Sequence, residues 1–285
     1  MLIFLAIVAG LIALINLVIY VVLRLLLHHA RIHSHPVSLT PAIAAISDGG
    51  LLVITAIAAR FMARIEHRKW GQYGLPKASA FGGNFWIGVA IGFCSISAAL
   101  LGIFMLHGFH LAGLAIHGET ILLATAAWTG AFVIVGLGEE FAFRGYLQFT
   151  LTTGMGFWPS ALLLSALFGL AHASNPGESK FGLLSVVCFG LLFCLFLRRT
   201  GNLWWAVGFH AGWDWGQTFF YGVTDSGLKP YHNLFNSSFS GPRWLTGGTV
   251  GPEASVFTPI VLLIVAIVFN SIYRENRYRP FSADL

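Results

Sequence analysis

Two adjacent glutamates interrupt an apolar stretch of the chain, in the segment EEFAFR. An ionised carboxylate near the centre of a bilayer costs at least roughly 2.5–3.5 kcal/mol on insertion scales, so a pair of them requires a reason. Adjacent helical positions point about 100° apart, so Glu139 and Glu140 cannot do the same job. Glu140 has Arg144 four positions later, on the same helical face. We therefore interpret Glu140 and Arg144 as a neutralised structural pair and Glu139 as the carboxylate available for chemistry.

Two histidines and an aspartate break other apolar stretches further along the chain. His172 closes the segment FGLAH, and HAGWD places His210 and Asp214 four residues apart, so both project from one face of a helix. Each of these features, taken alone, also fits a satisfied core histidine or an aspartate that orients one. Their chemistry therefore depends on whether the three helices bring them together.

Helical depth indicates that they do come together. At about 1.5 Å of rise per residue, Glu139, His172 and His210 lie roughly 22, 20 and 12 Å from the same end of their spans, within one slab of the membrane. A carboxylate, two imidazoles and Asp214 in a dry interior have the parts for activating a water molecule. These parts are a base, a second proton carrier or ligand, and donors for an oxyanion.

The amino-acid composition indicates the class of protein whose helices position these residues. The chain has 285 residues, of which 56% are hydrophobic and 9% charged, and its mean hydropathy is +0.77. A soluble domain carries about 25% charged residues, so soluble, disordered and fibrous classes are excluded. The net charge of +5 is better explained by loops at an anionic membrane surface than by nucleic acid.

The fold class predicted is all-α, a polytopic transmembrane helical bundle of about eight spans. Since a span needs roughly 20 apolar residues, we place the spans near 2–23, 42–63, 85–106, 121–150, 158–174, 181–197, 202–222 and 255–273. We expect one membrane-embedded domain over 1–285, with N-terminal spans in 1–106, a catalytic core in 121–222 and a C-terminal span at 255–273. The connection 223–254 is rich in Gly, Ser, Pro and Asn and indicates an irregular loop.

The distribution of positive charge predicts the orientation in the membrane. With both termini on one face, that face carries eleven of the sixteen Lys and Arg residues, including those of the loop 61–84. Positive residues concentrate in cytoplasmic loops, so both termini are expected in the cytoplasm and 223–254 on the outer side. We expect the plasma membrane, the inner one of a bacterium, and a cavity that opens toward the cytoplasm.

Three segments together resemble a known family. EEFAFR at 139–144, FGLAH at 168–172 and HAGWD at 210–214 are similar to the EExxxR, FxxxH and HxxxN/D motifs of the CPBP intramembrane proteases. That superfamily contains the type II CAAX prenyl endopeptidase and the bacterial Abi proteins linked to bacteriocin self-immunity. The motifs occur in the same order over about 75 residues, and the eight-span layout is similar too.

The resemblance implies a role for each residue. Glu139 and His172 resemble the pair that activates the attacking water, and His210 and Asp214 the pair that stabilises the tetrahedral oxyanion. Arg144 resembles the residue that orders the glutamate pair. Asp214 stands where many relatives have Asn, and an ionised Asp cannot donate to an oxyanion. It must be protonated, orient His210, or bind a metal.

The sequence leaves open whether a metal takes part. The family is often labelled as metalloproteases, and Glu139, His172 and His210 could supply three ligands to a divalent metal such as zinc with one position open. However, the HExxH pattern of many zinc proteases is absent.

Three further features are interpreted as structural. The histidine-rich run at 28–35 is expected to be a wet outer loop, although such tracts can bind metal. Asp48 is expected at a span boundary near the outer surface. Asn175 follows His172 by three positions, so we expect it to support that ring by a hydrogen bond.

The function predicted is therefore an intramembrane endopeptidase, with glutamate-activated water as the nucleophile. Its expected partners are the lipid bilayer and a membrane-associated or lipidated peptide, because apolar walls suit such a substrate. The alternative is a proton-coupled carrier or a non-catalytic scaffold that uses the same buried groups as a relay or packing network. Internal repeats or paired broken helices would favour a carrier, and the sequence shows neither.

Overall fold

The computed structural model describes residues 1–13 and 38–280. Its α-helices are α1 Leu2–Ala13, α2 Pro41–Ile65, α3 Gly83–Met105, α4 Glu119–Arg144, α5 Tyr146–Met155, α6 Phe157–Ala171, α7 Lys180–Thr200, α8 Trp204–Asp214, α9 Arg243–Thr246 and α10 Phe257–Ile272. Two strands, β1 Phe109–Leu114 and β2 Phe235–Phe239, form a small antiparallel sheet.

The predicted all-α membrane bundle is confirmed. Within the described residues, five helical segments are long and apolar enough to cross a membrane: Pro41–Ile65, Gly83–Met105, Glu119–Met155, Phe157–Ser174 and Lys180–Thr200. Two shorter apolar helices, α1 and α10, begin and end the described bundle. The second half of the first predicted span and the histidine-rich run at 28–35 lie outside the described residues.

Two predicted spans differ in detail from simple helices. The fourth, predicted as 121–150, is divided at Gly145 into α4 and α5, because the backbone of Gly145 leaves the helical region at ψ −121°. The seventh, predicted as 202–222, is an α-helix that continues as one wide π-helical turn over Trp215–Phe220. Such turns often mark functional positions, and this one begins directly after Asp214.

The connection 223–254 is more ordered than its composition suggests. Strand β2 in this connection pairs with β1, which follows α3, and the short helix α9 comes next. Leu39, just before α2, also bonds to it, since its N–H donates to the carbonyl of Lys229 at 2.8 Å. The connection therefore forms a cover over the end of the bundle where α2 begins and α8 ends.

The opposite end of the bundle gathers the remaining connections. The N–H of Leu203 donates to the carbonyl of Gly74 at 2.8 Å, and the N–H of Arg277 to the carbonyl of Arg198 at 3.1 Å. The loop 61–84, the α7–α8 turn and the C-terminal residues thus share one face. Among the described residues, the loops fall into the same two sets that the charge count assumed.

Helices α3 and α8 pack backbone to backbone, which fixes the helix that carries His210 and Asp214. A Cβ atom at Gly92 of α3 would collide with the backbone of Phe209, and one at Gly208 of α8 would collide with that of Phe85. Small residues at helix contacts permit this close approach in membrane proteins. The glycines therefore set the position of α8.

We expect Gly92→Ala to destabilise the fold by about 1–3 kcal/mol, because the added methyl group forces α3 away from α8. The measurement is thermal unfolding of the purified protein in detergent. Gly130→Ala in α4 is the matched control, since a Cβ there meets no atom within 4 Å. Equal midpoints for the two variants would contradict this account of the packing.

Candidate active site

A fully buried ion pair lies behind the site. Arg144 Nη1 is 3.4 Å from Glu140 Oε1, and both side chains are 0% exposed. The guanidinium also lies over the ring of Phe168, 4.3 Å from its centroid. The structure thus brings Glu140 and Arg144 together as the sequence predicted. Because both partners are removed from water, each depends on the other for compensation of its charge.

His210 joins the ion pair to the other carboxylates. Its Nδ1 lies 3.1 Å from Glu140 Oε1, while its Nε2 lies 3.5 Å from Glu139 Oε2 and 3.4 Å from Asp214 Oδ2. A carboxylate of Glu140 can only accept, so Nδ1 carries a proton and Nε2 is the nitrogen turned toward Glu139 and Asp214. One imidazole therefore contacts three carboxyl groups from two helices.

His172 approaches from a third element, at the end of α6. Its Nδ1 donates to the carbonyl of Phe168 at 2.8 Å, which leaves Nε2 as the acceptor of the neutral ring. The predicted support from the Asn175 side chain was wrong in its geometry. The backbone N–H of Asn175 instead donates to the carbonyl of His172 at 3.0 Å, because the chain makes a tight turn after α6.

A cavity of about 420 Å³ unites these groups. Glu139, His172, His210 and Asp214 all line it, whereas the Glu140–Arg144 pair lies behind its wall. Much of the remaining lining is apolar, and includes Leu39, Ile43, Phe132, Phe168, Phe189 and Trp213. The side chain of Glu139 is 19% exposed, so it is the glutamate that faces the cavity.

The position of the cavity corrects one expectation. Its walls include residues of the cover, such as Asp225 and Glu253, so it lies at the end of the bundle covered by 223–254. A cavity open toward the cytoplasm is therefore incompatible with an outer location for this connection. Depth measured from one end of each helix does not show where the helices leave a space between them, so the sequence alone could not place the cavity.

Three acidic residues that sequence reasoning missed also line the cavity: Asp48, Asp225 and Glu253. Asp48 lies in α2, against Gly138, which precedes Glu139. Its charge inside an apolar run was the available signal, but the sequence analysis assigned it to a span boundary and not to the site. Asp225 and Glu253 lie in the irregular connection, where polar residues are ordinary and gave no signal.

Hydrogen bonds hold the two acids of the cover. The Thr218 hydroxyl donates to Asp225 at 2.6 Å, and the N–H and hydroxyl of Ser226 donate to Glu253 at 3.1 and 3.0 Å. Burial, followed by the charge of Asp225, raises the pKa of Glu253 to about 8. Burial likewise raises the pKa of Asp225. Both groups thus retain protons more readily than exposed carboxyls do.

The expected metal ligands do not fit a single site. Among the described residues, the group whose potential ligand atoms all lie within 4.8 Å of one another is Asp214, Asp225 and Glu253. The potential ligand atoms of Glu139, His172 and His210 do not form such a group in the described structure. The three residues share a cavity without sharing one coordination point.

We expect Arg144→Ala to reduce the free energy of unfolding by on the order of 3–5 kcal/mol, because it leaves Glu140 buried and uncompensated. Arg277→Ala is the control, since Arg277 belongs to an ion pair whose side chains are 66% and 75% exposed. Denaturant titration in detergent compares the two variants. Adding Glu140→Gln to Arg144→Ala should recover part of the loss. Similar stabilities for Arg144→Ala and Arg277→Ala would contradict the assignment.

Comparison with known protein families gives a match over part of the chain. Residues 120–216 match the family model described as type II CAAX prenyl endopeptidase Rce1-like. No curated protein matches the chain. The matched residues extend from α4 through α8 and include all six site residues predicted from the sequence. The segment 120–216 of this chain is therefore similar to the type II CAAX prenyl endopeptidase Rce1-like family, in agreement with the resemblance carried by its three motifs.

Proposed function

We propose that the protein is an intramembrane endopeptidase in which Glu139 activates a water molecule. The family match supports an intramembrane CAAX-type protease at family level. The proposal that Glu139 activates the water rests on one observation. His210 contacts Glu139, Glu140 and Asp214 at the wall of one cavity. This arrangement sets a base beside groups that can stabilise negative charge.

Glu139 acts as the general base. As the water oxygen bonds to the carbon of the scissile carbonyl, Glu139 takes one water proton and the carbonyl π electrons move onto the carbonyl oxygen. When the tetrahedral intermediate collapses, the C=O bond re-forms and the C–N bond breaks. Glu139 then returns its proton to the departing nitrogen. The products are a free carboxyl group and a free amine, and the enzyme is unchanged.

His210 stabilises the oxyanion formed in the first step, and Asp214, whose Oδ2 lies 3.4 Å from Nε2 of His210, orients that ring. Donors fixed beside developing charge are most effective in a water-excluded site, because they need no reorganisation. The ring of His210 is fixed by Glu140 through Nδ1 and by stacking on Phe193, with ring centroids 5.3 Å apart. When the ring carries both protons, its Nε2–H is therefore held toward the reacting groups and can donate to the oxyanion.

Arg144 and His172 support the reaction in different ways. Arg144 compensates Glu140, so that Glu140 can remain an anion and accept a hydrogen bond from the Nδ1–H of His210. His172 lines the same cavity, and its unprotonated Nε2 assists Glu139 in orienting the water. Since Glu139, His172 and His210 do not fit one metal site, the proposed steps use only the protein's own groups.

The substrate is a peptide that reaches the site from the bilayer or its surface. A cavity of about 420 Å³ has the size of a pocket for a small ligand or a short peptide segment. Apolar side chains form much of its wall, so they suit a membrane-associated or lipidated peptide. None of these contacts requires the peptide to carry a prenyl group.

The charge distribution favours access from the outer side. The face with the loop 61–84 and the C-terminal residues carries most of the positive charge and is the cytoplasmic one. The cavity lies at the other end of the bundle, beneath the cover. A protein of the plasma membrane in this orientation cleaves peptides presented at its outer half.

We expect Glu139→Gln to abolish peptide cleavage, because the amide cannot take a proton from water, while the protein remains folded. Purified protein in lipid vesicles is incubated with a library of membrane peptides, and the products are identified by mass spectrometry. Glu119→Gln, an exposed site in the first turn of the same helix, is the matched control and should cleave normally. Cleavage by folded Glu139→Gln would contradict the mechanism.

We expect Asn236→Cys to react with a membrane-impermeant maleimide added outside intact cells, and Lys77→Cys to react only after the cells are opened. Both positions are exposed and lie on opposite faces of the bundle. The unsubstituted protein, treated in the same way, shows how much its own three cysteines react with the maleimide. The reverse labelling pattern would place the cavity on the cytoplasmic side.

A further inference from the structure

Gly190 lies in the middle of α7, where the backbone has no positive φ that would require a glycine. Glycine is among the poorest helix formers, so its presence here needs another reason. A Cβ atom at this position would lie 2.5 Å from Arg144 Nη2 and 2.8 Å from both Cβ and Oγ of Ser165. These separations are well below the optimum of about 3.5–4.0 Å between nonbonded carbon atoms. The side chains of Arg144 and Ser165 thus occupy the space that a side chain of residue 190 would need.

The guanidinium of Arg144 is enclosed on its other sides. Its central carbon lies 4.3 Å from the ring centroid of Phe168 and 5.6 Å from that of Phe193. Its Nη1 contacts Glu140, whereas Nε and Nη2 have no hydrogen-bond partner among the described residues. Packing therefore sets where the guanidinium lies, and the missing side chain of Gly190 is part of that packing.

The two aromatic rings beside the guanidinium also contact the two histidines of the site. The ring of Phe168 packs edge to face against that of His172, with centroids 4.8 Å apart. The ring of Phe193 stacks on that of His210, with centroids 5.3 Å apart. A shift of the Arg144 guanidinium therefore displaces the rings that pack against both imidazoles.

Glu140 provides a second connection between Arg144 and His210. Its Oε1 lies 3.4 Å from Arg144 Nη1 and accepts a hydrogen bond from His210 Nδ1 at 3.1 Å. Because one oxygen atom makes both contacts, a displaced guanidinium also changes the hydrogen bond that fixes the ring. Gly190 is not among the described residues that line the cavity, so its effect on the site passes through these neighbours.

We propose that Gly190 is a positioning residue for the peptidase reaction proposed above, on which this inference rests. Its lack of a side chain lets the Arg144 guanidinium lie against Glu140. Glu140 in turn holds the ring of His210 beside Glu139. A donor must be fixed in place before the reaction to stabilise developing charge, so the position of this ring affects the rate of the chemical step.

A methyl group at residue 190 has two neighbours that it could displace. The Cβ of Ser165 is attached directly to the backbone of α6, which packs along α7. The guanidinium of Arg144 is the end of a long side chain and moves more easily. Gly190→Ala therefore moves the guanidinium, lengthens its contact with Glu140 and loosens the ring of His210.

Steady-state cleavage by Gly190→Ala in lipid vesicles tests the consequence for the reaction, with a peptide that the wild type cleaves. The kcat should fall about 100-fold, since a misplacement of roughly 1 Å in a site costs this much. KM should change little, because residue 190 does not line the cavity. Gly130→Ala, where a Cβ meets no atom within 4 Å, is the matched control and should keep the wild-type kcat. An unchanged kcat in folded Gly190→Ala, or a loss confined to KM, would overturn the proposal.

Arg144→Lys tests whether Gly190 acts through Arg144. Lysine keeps the positive charge but lacks Nη2, the atom that the new methyl group meets. Gly190→Ala should therefore lower kcat by a smaller factor in the Arg144→Lys background than in the wild type. The midpoint of denaturant unfolding in detergent should follow the same pattern. Equal losses in the two backgrounds would contradict a role that acts through Arg144.

The ring of His210 reports the displacement without any peptide. In protein labelled with ¹⁵N-histidine, nuclear magnetic resonance in detergent micelles detects the Nδ1–H proton, which is assigned by its absence from His210→Gln. In Gly190→Ala this signal should move upfield, because a longer hydrogen bond to Glu140 deshields the proton less. Gly130→Ala should leave it in place. The same chemical shift in Gly190→Ala and the wild type would overturn the proposal.

Failure of this inference and failure of the proposed function are distinguishable. If the wild type cleaves no peptide, the proposed function fails, while the His210 signal and the unfolding comparison still decide whether Gly190 positions that ring. If Gly190→Ala alone does not fold, the double variant with Arg144→Lys should yield folded protein, because the methyl group no longer meets Nη2. A double variant that also fails to fold would count against the proposal and overturn it.

Discussion

Compensation of charge inside an apolar bundle is the constraint on which the site depends. Glu140 and Arg144 are completely buried, and each is tolerated because the other is present. Glu140 also accepts from His210 Nδ1, which fixes the ring that contacts Glu139 and Asp214. One buried ion pair therefore orients the imidazole and, through it, the groups that we assign to the reaction.

The scaffold places these groups by packing backbone against backbone. Glycines let α8 approach α3 closely, and the turn after Asp214 widens into a π-helix. The segment that matches the Rce1-like family supplies Glu139, His172, His210 and Asp214. The rest of the acidic wall comes from residues outside that segment, namely Asp48, Asp225 and Glu253. The surroundings of these four residues thus depend on the less regular parts of the chain.

Sequence reasoning predicted the bundle and the central cluster because both leave strong local signals. Apolar runs of span length define helices, and Glu140 and Arg144 at a spacing of four residues define a pair on one face. Helical depth correctly indicated that Glu139 and His210 meet. It could not reveal the end of the bundle at which the cavity lies, because depth along separate helices does not describe the space between them.

Long-range contacts explain what was missed. Asp225 and Glu253 reach the cavity only because the cover folds over it, held by the β1–β2 pairing and by the contact of Leu39 with Lys229. A loop rich in glycine and serine has no hydrophobic periodicity, so its sequence does not predict that it folds back over the cavity. The His172 ring likewise forms a hydrogen bond with the carbonyl of Phe168, at the turn that ends α6. The sequence spacing had suggested Asn175 as its partner instead.

The most direct test of the central claim is cleavage in water enriched in ¹⁸O. The purified protein in lipid vesicles is supplied with membrane peptides, and the fragments are weighed by mass spectrometry. Attack by water predicts fragments whose new carboxyl terminus carries ¹⁸O from the solvent. Because an acyl–enzyme would also be released by water, the intact protein is weighed as well: a covalent peptide adduct on it, fragments that carry no ¹⁸O, or a folded protein that releases no fragments from any peptide would contradict the account.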